Sequence, residues 1–150
     1  MTARIFQLAA SQGGVPKLPL REARVTTLGL DVDKQKHKKF HGGPDRALCL
    51  FSVEVIEALQ AEGHPIYPGS TGENVLISGL DWTKLAEGTR IALGDEVIVA
   101  LTRTTTPCKQ IADSFIGRKF QRLAALHEMR WYCRVEREGL LRVAMPVSLL

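Results

Sequence analysis

The stretch "RIALGDEVIVALTRT", residues 90–104, indicates the fold class. Two runs rich in isoleucine, valine and leucine stand on either side of Gly94-Asp95. A glycine-aspartate pair between two such runs is a signal for a tight turn. The stretch therefore predicts two β-strands joined as a hairpin, with the second strand ending near Thr104 to Thr106.

The segments around this hairpin repeat the pattern of short strands separated by turns. Glycine or proline recurs about every ten residues, which is typical of many short strands. Further strand candidates are "RIFQLAA" (4–10), "ARVTTLGL" (23–30), "ALCLF" (47–51) and "ENVLI" (73–77). The C-terminal segment "RWYCRVEREGLLRVAMPVSLL" (130–150) predicts a hairpin followed by a closing strand.

Helices are few and short in this prediction. Ser52 is a suitable N-cap and Gly63 a suitable stop for a helix in "SVEVIEALQAEG". The segments 109–117 and 120–127 carry apolar residues at helical spacing and predict two more short helices. Together the pattern predicts a mostly β fold, a closed or nearly closed β-barrel with a few short helices on its rim.

Bulk properties predict one domain, residues 1–150, with an ordinary globular composition of 45% hydrophobic and 24% charged residues. No apolar run approaches the roughly 18 residues that span a bilayer, and the N-terminus does not match a secretory signal. Three cysteines without paired spacing favour a reducing, cytoplasmic compartment. The net charge of +4 suits an anionic ligand, and we expect neither a membrane nor a nucleic-acid partner. The oligomeric state is left open.

Cys108 is the candidate reactive residue because its surroundings differ from those of the other two cysteines. Cys49 and Cys133 lie in apolar, strand-like segments, where a thiol behaves as a small hydrophobic side chain. Cys108 stands between a predicted strand end and a predicted helix start, with Arg103 and Lys109 nearby. Such an electropositive position favours the thiolate. The alternative is a cysteine that fills a gap at the end of a strand.

A second candidate site is the basic stretch "DKQKHKKFHGGPDRALCLF", residues 33–51. Its cationic side chains surround a Gly42-Gly43 turn that lets the backbone approach a ligand, so the stretch could hold a phosphate or another anion. The alternative is a solvated basic loop. The cations are Lys34, Lys36, Lys38, Lys39 and Arg46. His37 and His41 have helical zinc-ligand spacing, but "HGGP" ends a helix and no third ligand follows.

The stretch "PGSTGENVLISGLD", residues 68–81, combines two glycines with the pair Glu73-Asn74. Taken alone, it is a turn whose side chains satisfy their own backbone. A Cys/His hydrolase would pair Cys108 with His41 or His127 as its base, and the linear order does not support this pairing.

These stretches together resemble the MOSC domain, named for the C-terminal domain of molybdenum cofactor sulfurase. The resemblance rests on "HGGPDRAL" (41–48), "PGSTGENVLISGLD" (68–81), "EGTRIALGDEVIVALTRTTTPCKQI" (87–111) and "RWYCRV" (130–135), in matching order over nearly the whole chain. The chain resembles the small stand-alone bacterial members of the family.

The resemblance implies a mostly β, barrel-like fold that binds the molybdenum cofactor (molybdopterin) or a sulfur species destined for it. Cys108 matches the family's cysteine, which implies a molybdenum ligand or a persulfide carrier. The other positions that the resemblance and the local charges assign to the pocket are His41, Gly42, Gly43, Asp45, Arg46, Glu73, Asn74, Arg103 and Lys109. For Glu73 and Asn74 the implied role is hydrogen bonding to the pterin or turn structure.

The chain also departs from the family pattern. Val32-Asp33 stands where many relatives have Gly-Asp, and "RVAM" replaces a late Gly-Asp turn. With no desulfurase domain, pyridoxal phosphate is not expected. A molybdenum-dependent reductase of N-hydroxylated compounds, using an electron-donor protein, is one alternative; a non-catalytic module binding an acidic partner is another. The interpretation of the chain as a molybdenum-cofactor-binding or sulfur-carrying protein calls for a sulfur donor or acceptor protein as partner. Glu73, His41 and Asp113 are unranked proton-transfer candidates.

Overall fold

A computed structural model describes residues 2–33 and 43–150. The described residues form eleven β-strands and one α-helix, together with several short 3₁₀ helices. The strands are β1 (Arg4–Ala10), β2 (Leu18–Leu20), β3 (Glu22–Thr26), β4 (Gly29–Leu30), β5 (Leu48–Ser52), β6 (Val75–Ser78), β7 (Arg90–Leu93), β8 (Val97–Thr104), β9 (Trp131–Arg137), β10 (Gly139–Arg142) and β11 (Val147–Leu149).

The α-helix forms where its caps predict it. Helix α1 (Val53–Ala61) begins after Ser52, whose Oγ accepts a hydrogen bond from the backbone N–H of Val55 at 3.3 Å, and the chain turns away at Gly63 with φ +98°. The segments after Cys108 form 3₁₀ helices instead of α-helices. The 3₁₀ helices are Pro44–Arg46, Trp82–Lys84, Lys109–Ser114, Ile116–Arg118 and Phe120–Ala124. Among the described residues, none of the helices has the length and apolar character needed to cross a bilayer.

The prediction of a mostly β fold is confirmed, but the prediction of a barrel is wrong because both sheets are open. The larger sheet has the order β11-β7-β8-β9-β5-β6-β1-β2, and the smaller one β10-β3-β4. Closure would require β11 to pair along β1. The contact between these two parts of the chain is one bridge, Arg4 to Pro146, with backbone hydrogen bonds that join Ile5 to Ala144 and Met145 and Ala3 to Val147. No longer ladder forms there among the described residues, and β2 occupies the other side of β1.

The predicted hairpin of β7 and β8 is confirmed, with Leu93 opposite Val97. The predicted C-terminal hairpin is wrong, because β9 pairs with β5 and β8 whereas β10 pairs with β3 in the smaller sheet. The chain changes sheets at Gly139, where an added Cβ would lie 2.4 Å from the Cβ of Glu96. The β7–β8 turn thus approaches the backbone at the point where β9 gives way to β10.

The two faces of β5 pack against different layers. Leu48 and Leu50 pack in the larger apolar core, which also contains Cys133. Phe51 enters a second core formed with α1 and the 3₁₀ helix Lys109–Ser114, which contributes Ile111. Because side chains alternate along a strand, Cys49 lies on the same face as Phe51. This second face carries the candidate site.

Candidate functional site

A cavity of about 70 Å³ is lined by Cys108 and by side chains from distant parts of the chain. Three of the residues predicted from the sequence meet there: Arg46, Asn74 and Cys108. Further lining residues, which the sequence analysis did not select, include Lys17, Cys49, Thr105, Arg130 and Tyr132. The fold therefore places a thiol and three cationic side chains around one small space.

Cys108 is half-buried and occupies the N-cap position of the 3₁₀ helix Lys109–Ser114. Its side chain makes no capping hydrogen bond, so the sulfur is not engaged in holding the helix. The predicted helix dipole is weak support for a thiolate, because this helix is a six-residue 3₁₀ element. The cationic side chains that share the cavity with Cys108 are Lys17, Arg46 and Arg130.

Asn74, directly before β6, links β5, β1 and Asp33 at the wall of the cavity. Its Oδ1 accepts a hydrogen bond from the backbone N–H of Cys49 at 3.0 Å. Its Nδ2 donates to the carbonyl of Ala9 at 3.3 Å and to Oδ2 of Asp33 at 2.8 Å. These bonds account for both ends of the buried amide, so Asn74 fixes the relative position of the segments that form this wall.

Lys17 and Asp33 form a buried ion pair beside the cavity. Lys17 Nζ lies 2.5 Å from Asp33 Oδ2, and the two side chains are 10% and 1% exposed. Oδ1 of Asp33 accepts a hydrogen bond from the backbone N–H of Ser11 at 2.9 Å. The pair and the hydrogen bond to Ser11 together hold Asp33 beside the cavity that Lys17 lines.

Glu73 supports the turn behind the cavity. Its carboxylate accepts hydrogen bonds from the backbone N–H of Gly69 at 2.5 Å and from Thr71 Oγ1 at 2.7 Å. Burial raises the pKa of Glu73, and these hydrogen bonds oppose the shift. Gly69 has φ +90°, and an added Cβ would lie 2.4 Å from the carbonyl oxygen of Lys17. Of the two roles considered for Glu73, its contacts in the structure are those of turn support.

A buried polar cluster forms another part of the wall. Cys49 Sγ lies 3.8 Å from Thr105 Oγ1, and the Arg46 guanidinium lies 5.8 Å from the centre of the Tyr132 ring. Burial raises the pKa of the Cys49 thiol and of the Tyr132 hydroxyl. Arg130 is 4% exposed and donates from Nη1 to the carbonyl of Thr71.

The remaining predicted residues lie elsewhere. Gly43, Asp45 and Arg103 line an open groove of about 570 Å³, which shares Arg46 with the cavity. Lys109 is exposed and is not among the residues lining the cavity. His41, Gly42, His37 and the four lysines of the basic stretch lie outside the described residues.

The other catalytic candidates do not line the cavity. Asp113 is exposed and pairs with Arg118. His127 is exposed, so the pairing of Cys108 with His127 is not supported by the arrangement.

Two cationic residues were missed by the sequence analysis. Lys17 follows the pair Gly13-Gly14 in "SQGGVPK", and this glycine pair beside a lysine was a usable signal of the same kind as Gly42-Gly43. Arg130 stands in the quoted stretch "RWYCRV", directly before β9, and nothing local distinguishes it there from Arg134.

Comparisons with known proteins identify the family. The MOSC domain model matches residues 37–148. Protein YiiM of Escherichia coli is 28% identical over 134 residues, which cover 86% of this chain and 59% of YiiM. The uncharacterized protein YflK of Bacillus subtilis is 26% identical over 140 residues, which cover 91% of this chain and 63% of YflK.

A solved structure shares the fold. The crystal structure of YiiM from Geobacillus stearothermophilus superimposes with a TM-score of 0.80 at 20% identity, covering 99% of this chain and 75% of that one. The chain spans about three fifths of the length of the curated relatives that it matches, 59% and 63%.

Proposed function

We propose, because this chain belongs to the MOSC domain family, that it binds a molybdenum cofactor, with Cys108 as the sulfur ligand of the metal. The observation that carries the proposal is the single cavity that joins Cys108 to Lys17, Arg46 and Arg130. A thiolate is a suitable ligand for a soft metal centre. Lysine and arginine are the usual partners of a phosphate such as the one on the pterin.

The donor set fits such a cofactor in kind. Cys108 is half-buried and free of hydrogen bonds to its helix, so its sulfur is available to a metal. Arg46 lines both the cavity and the larger groove, and a ligand that fills both spaces would contact its guanidinium. When bound, the cofactor would supply a redox-active metal centre. The chain's own contribution would be to bind and orient it.

A sulfur-carrier role at Cys108 is the second candidate, and the size of the cavity favours it. About 70 Å³ is well below the roughly 300–1,000 Å³ of pockets that enclose larger ligands. A persulfide on Cys108 adds a single sulfur atom and needs no such space. In this role the partner would be a sulfur donor or acceptor protein. A reductase of N-hydroxylated compounds would instead need the cofactor and an electron-donor protein.

The test is the metal and pterin content of protein purified from cells that make molybdenum cofactor. Cys108→Ala is compared with Cys133→Ala, which removes a fully buried thiol from the core. We expect molybdenum and pterin in equal amounts in the wild type and in Cys133→Ala, and neither in Cys108→Ala. Equal molybdenum in Cys108→Ala and in the wild type would overturn the ligand role.

The same samples distinguish the sulfur-carrier role from the metal-ligand role. If molybdenum is missing from all of them, the intact protein and its peptides are analysed by mass spectrometry for an added sulfur atom on Cys108. A persulfide confined to Cys108 would support the carrier role. The protein is then incubated with a sulfur donor, a persulfide, whose outer sulfur is attacked by the Cys108 thiolate while the donor leaves as a thiolate. An unmodified Cys108 after this incubation would reject the carrier role.

A further inference from the structure

Two of the three cysteines share the cavity. Cys108 and Cys49 both line it, whereas Cys133 is fully buried in the larger apolar core. Cys108 is half-buried and Cys49 is buried, so the cavity has an outer thiol and an inner one. Both roles proposed for Cys108 engage its sulfur atom alone. They leave the Cys49 thiol without a part in the chemistry of the site.

The chain carries Cys108 across the face of β5 to which Cys49 belongs. Cys108 is the middle residue of the segment from Thr105 to Ile111. At one end of this segment, Thr105 Oγ1 lies 3.8 Å from Cys49 Sγ. At the other end, Ile111 packs in the same core as Phe51, which is two residues from Cys49 on the same face of β5. The segment thus meets this face near two neighbouring positions, and Cys108 lies between them.

The Cys108 side chain has room to turn toward Cys49. Cys108 is the N-cap of its 3₁₀ helix, but its side chain makes no capping hydrogen bond. The cavity that both thiols line has about 70 Å³, whereas one water molecule needs only roughly 10–15 Å³ of such space. Rotation about the Cα–Cβ bond of Cys108 brings its sulfur toward Cys49, and a disulfide forms where the two Cβ atoms come within about 3.5–4.5 Å.

The two thiols differ in the way that a two-step oxidation requires. Burial raises the pKa of the Cys49 thiol, and the charge of Arg130 and the hydrogen bond with Thr105 oppose the shift. Cys49 is thus shielded from a dissolved oxidant, whereas the half-buried Cys108 meets it first. An accessible thiol beside a second one that can displace the oxidised group is the usual arrangement of redox-sensing cysteines.

We propose that Cys108 and Cys49 form a reversible disulfide on reaction with a hydroperoxide, with Cys49 as the resolving thiol. In the first step the Cys108 thiolate attacks one oxygen of the peroxide; the S–O bond forms, the O–O bond breaks, and the other oxygen leaves as hydroxide. In the second step the Cys49 thiolate, whose proton has gone to solvent, attacks the sulfenic sulfur, and the S–S bond forms as hydroxide leaves. The thiols together lose two electrons, which reduce hydrogen peroxide to water.

The disulfide would close the site, because it occupies the sulfur atom that a metal or a persulfide needs. Reduction by a dithiol would restore both thiols and reopen the site. The reaction requires neither molybdenum nor a sulfur donor. Its success or failure is therefore separate from that of the proposed function.

The test is oxidation of the native, reduced wild-type protein by hydrogen peroxide, after purification from cells that do not make molybdenum cofactor. The remaining thiols are then alkylated under denaturing conditions, and the peptides are mapped by mass spectrometry without reduction. We expect a disulfide between the peptides of Cys49 and Cys108, with alkylation at Cys133 alone. After treatment with dithiothreitol, all three cysteines should be alkylated.

Two variants provide the matched comparison. Cys133→Ala, which removes the thiol of the larger core, should form the disulfide like the wild type. Cys49→Ala has no resolving thiol, so about tenfold more sulfinic acid should accumulate at Cys108 than in the wild type. If Cys49→Ala does not fold, the wild-type peptide map decides the proposal.

Three results in the wild type would overturn the disulfide. The first is a Cys108 that is unreacted or oxidised to sulfinic acid while Cys49 is still a free thiol. The second is a disulfide between the Cys108 residues of two chains. The third is a disulfide that includes Cys133.

Discussion

The two faces of strand β5 carry neighbouring residues with opposite surroundings. Leu48 is fully buried in the apolar core between the strands, together with Cys133. Cys49, the next residue, faces the cavity that contains Cys108, Arg46 and other polar groups. On the first face both Leu48 and Leu50 pack in an apolar core, whereas on the second Phe51 packs in another apolar core and Cys49 lies beside polar groups around a cavity. Cys133 is a packing thiol in the first core, whereas Cys49 lines the cavity on the second face.

The largest expected effect comes from truncating this neighbouring pair. Leu48→Ala should lower the free energy of unfolding by about 2–5 kcal/mol, because it leaves a hole in a packed core. Cys49→Ala should lower it by about 1 kcal/mol or less, because it removes one atom beside an existing cavity. Urea denaturation of both variants measures the difference.

Leu28→Ala, which truncates a leucine that is 62% exposed, is the matched control for the leucine change and should leave stability almost unchanged. Equal losses in Leu48→Ala and Cys49→Ala would contradict the distinction between the two faces of β5.

A smaller, pH-dependent effect is expected at Glu73, on the cavity side. Burial raises its pKa above the ordinary value of 4.5, so the native protein binds this proton more tightly than the unfolded chain does. The contribution of Glu73 to the free energy of unfolding therefore falls as the pH rises from about 4.5 to the raised pKa. Above the raised pKa this contribution is constant. Glu73→Gln removes this dependence and should lose less stability over that range than the wild type.

Denaturation curves at several pH values test this difference. Glu57→Gln, which changes an exposed residue of α1, serves as the control and should follow the wild type. Wild type and Glu73→Gln changing in parallel with pH would show that Glu73 has no raised pKa.

Two local sequence signals predicted the local structure correctly. The Gly94-Asp95 turn and the Ser52 cap act on residues close by in the chain, and both are found where expected. The edges of the sheet were not predictable in this way, because they depend on which distant strands pair. The short contact around the bridge of Arg4 to Pro146 joins opposite ends of the chain.

The candidate site also combines residues that local motifs predict with contacts between distant residues, which they do not. Cys108, Arg46 and Asn74 stand in motifs that a resemblance can identify. The contact between Asp33 and Asn74 joins residues 41 positions apart, and the one between Thr71 and Arg130 joins residues 59 apart. No local pattern specifies such pairs, so the buried charges beneath the cavity became visible only in the fold.

The most direct test of the central claim is the alkylation of the three cysteines by iodoacetamide in native protein, with and without bound molybdenum cofactor, followed by peptide mass spectrometry. Cys108 is half-buried, whereas Cys49 and Cys133 are buried. The account predicts that cofactor-free protein is labelled at Cys108 and that cofactor-loaded protein is protected there, with Cys133 unlabelled in both. Labelling of Cys108 at the same rate in loaded and cofactor-free protein would contradict it.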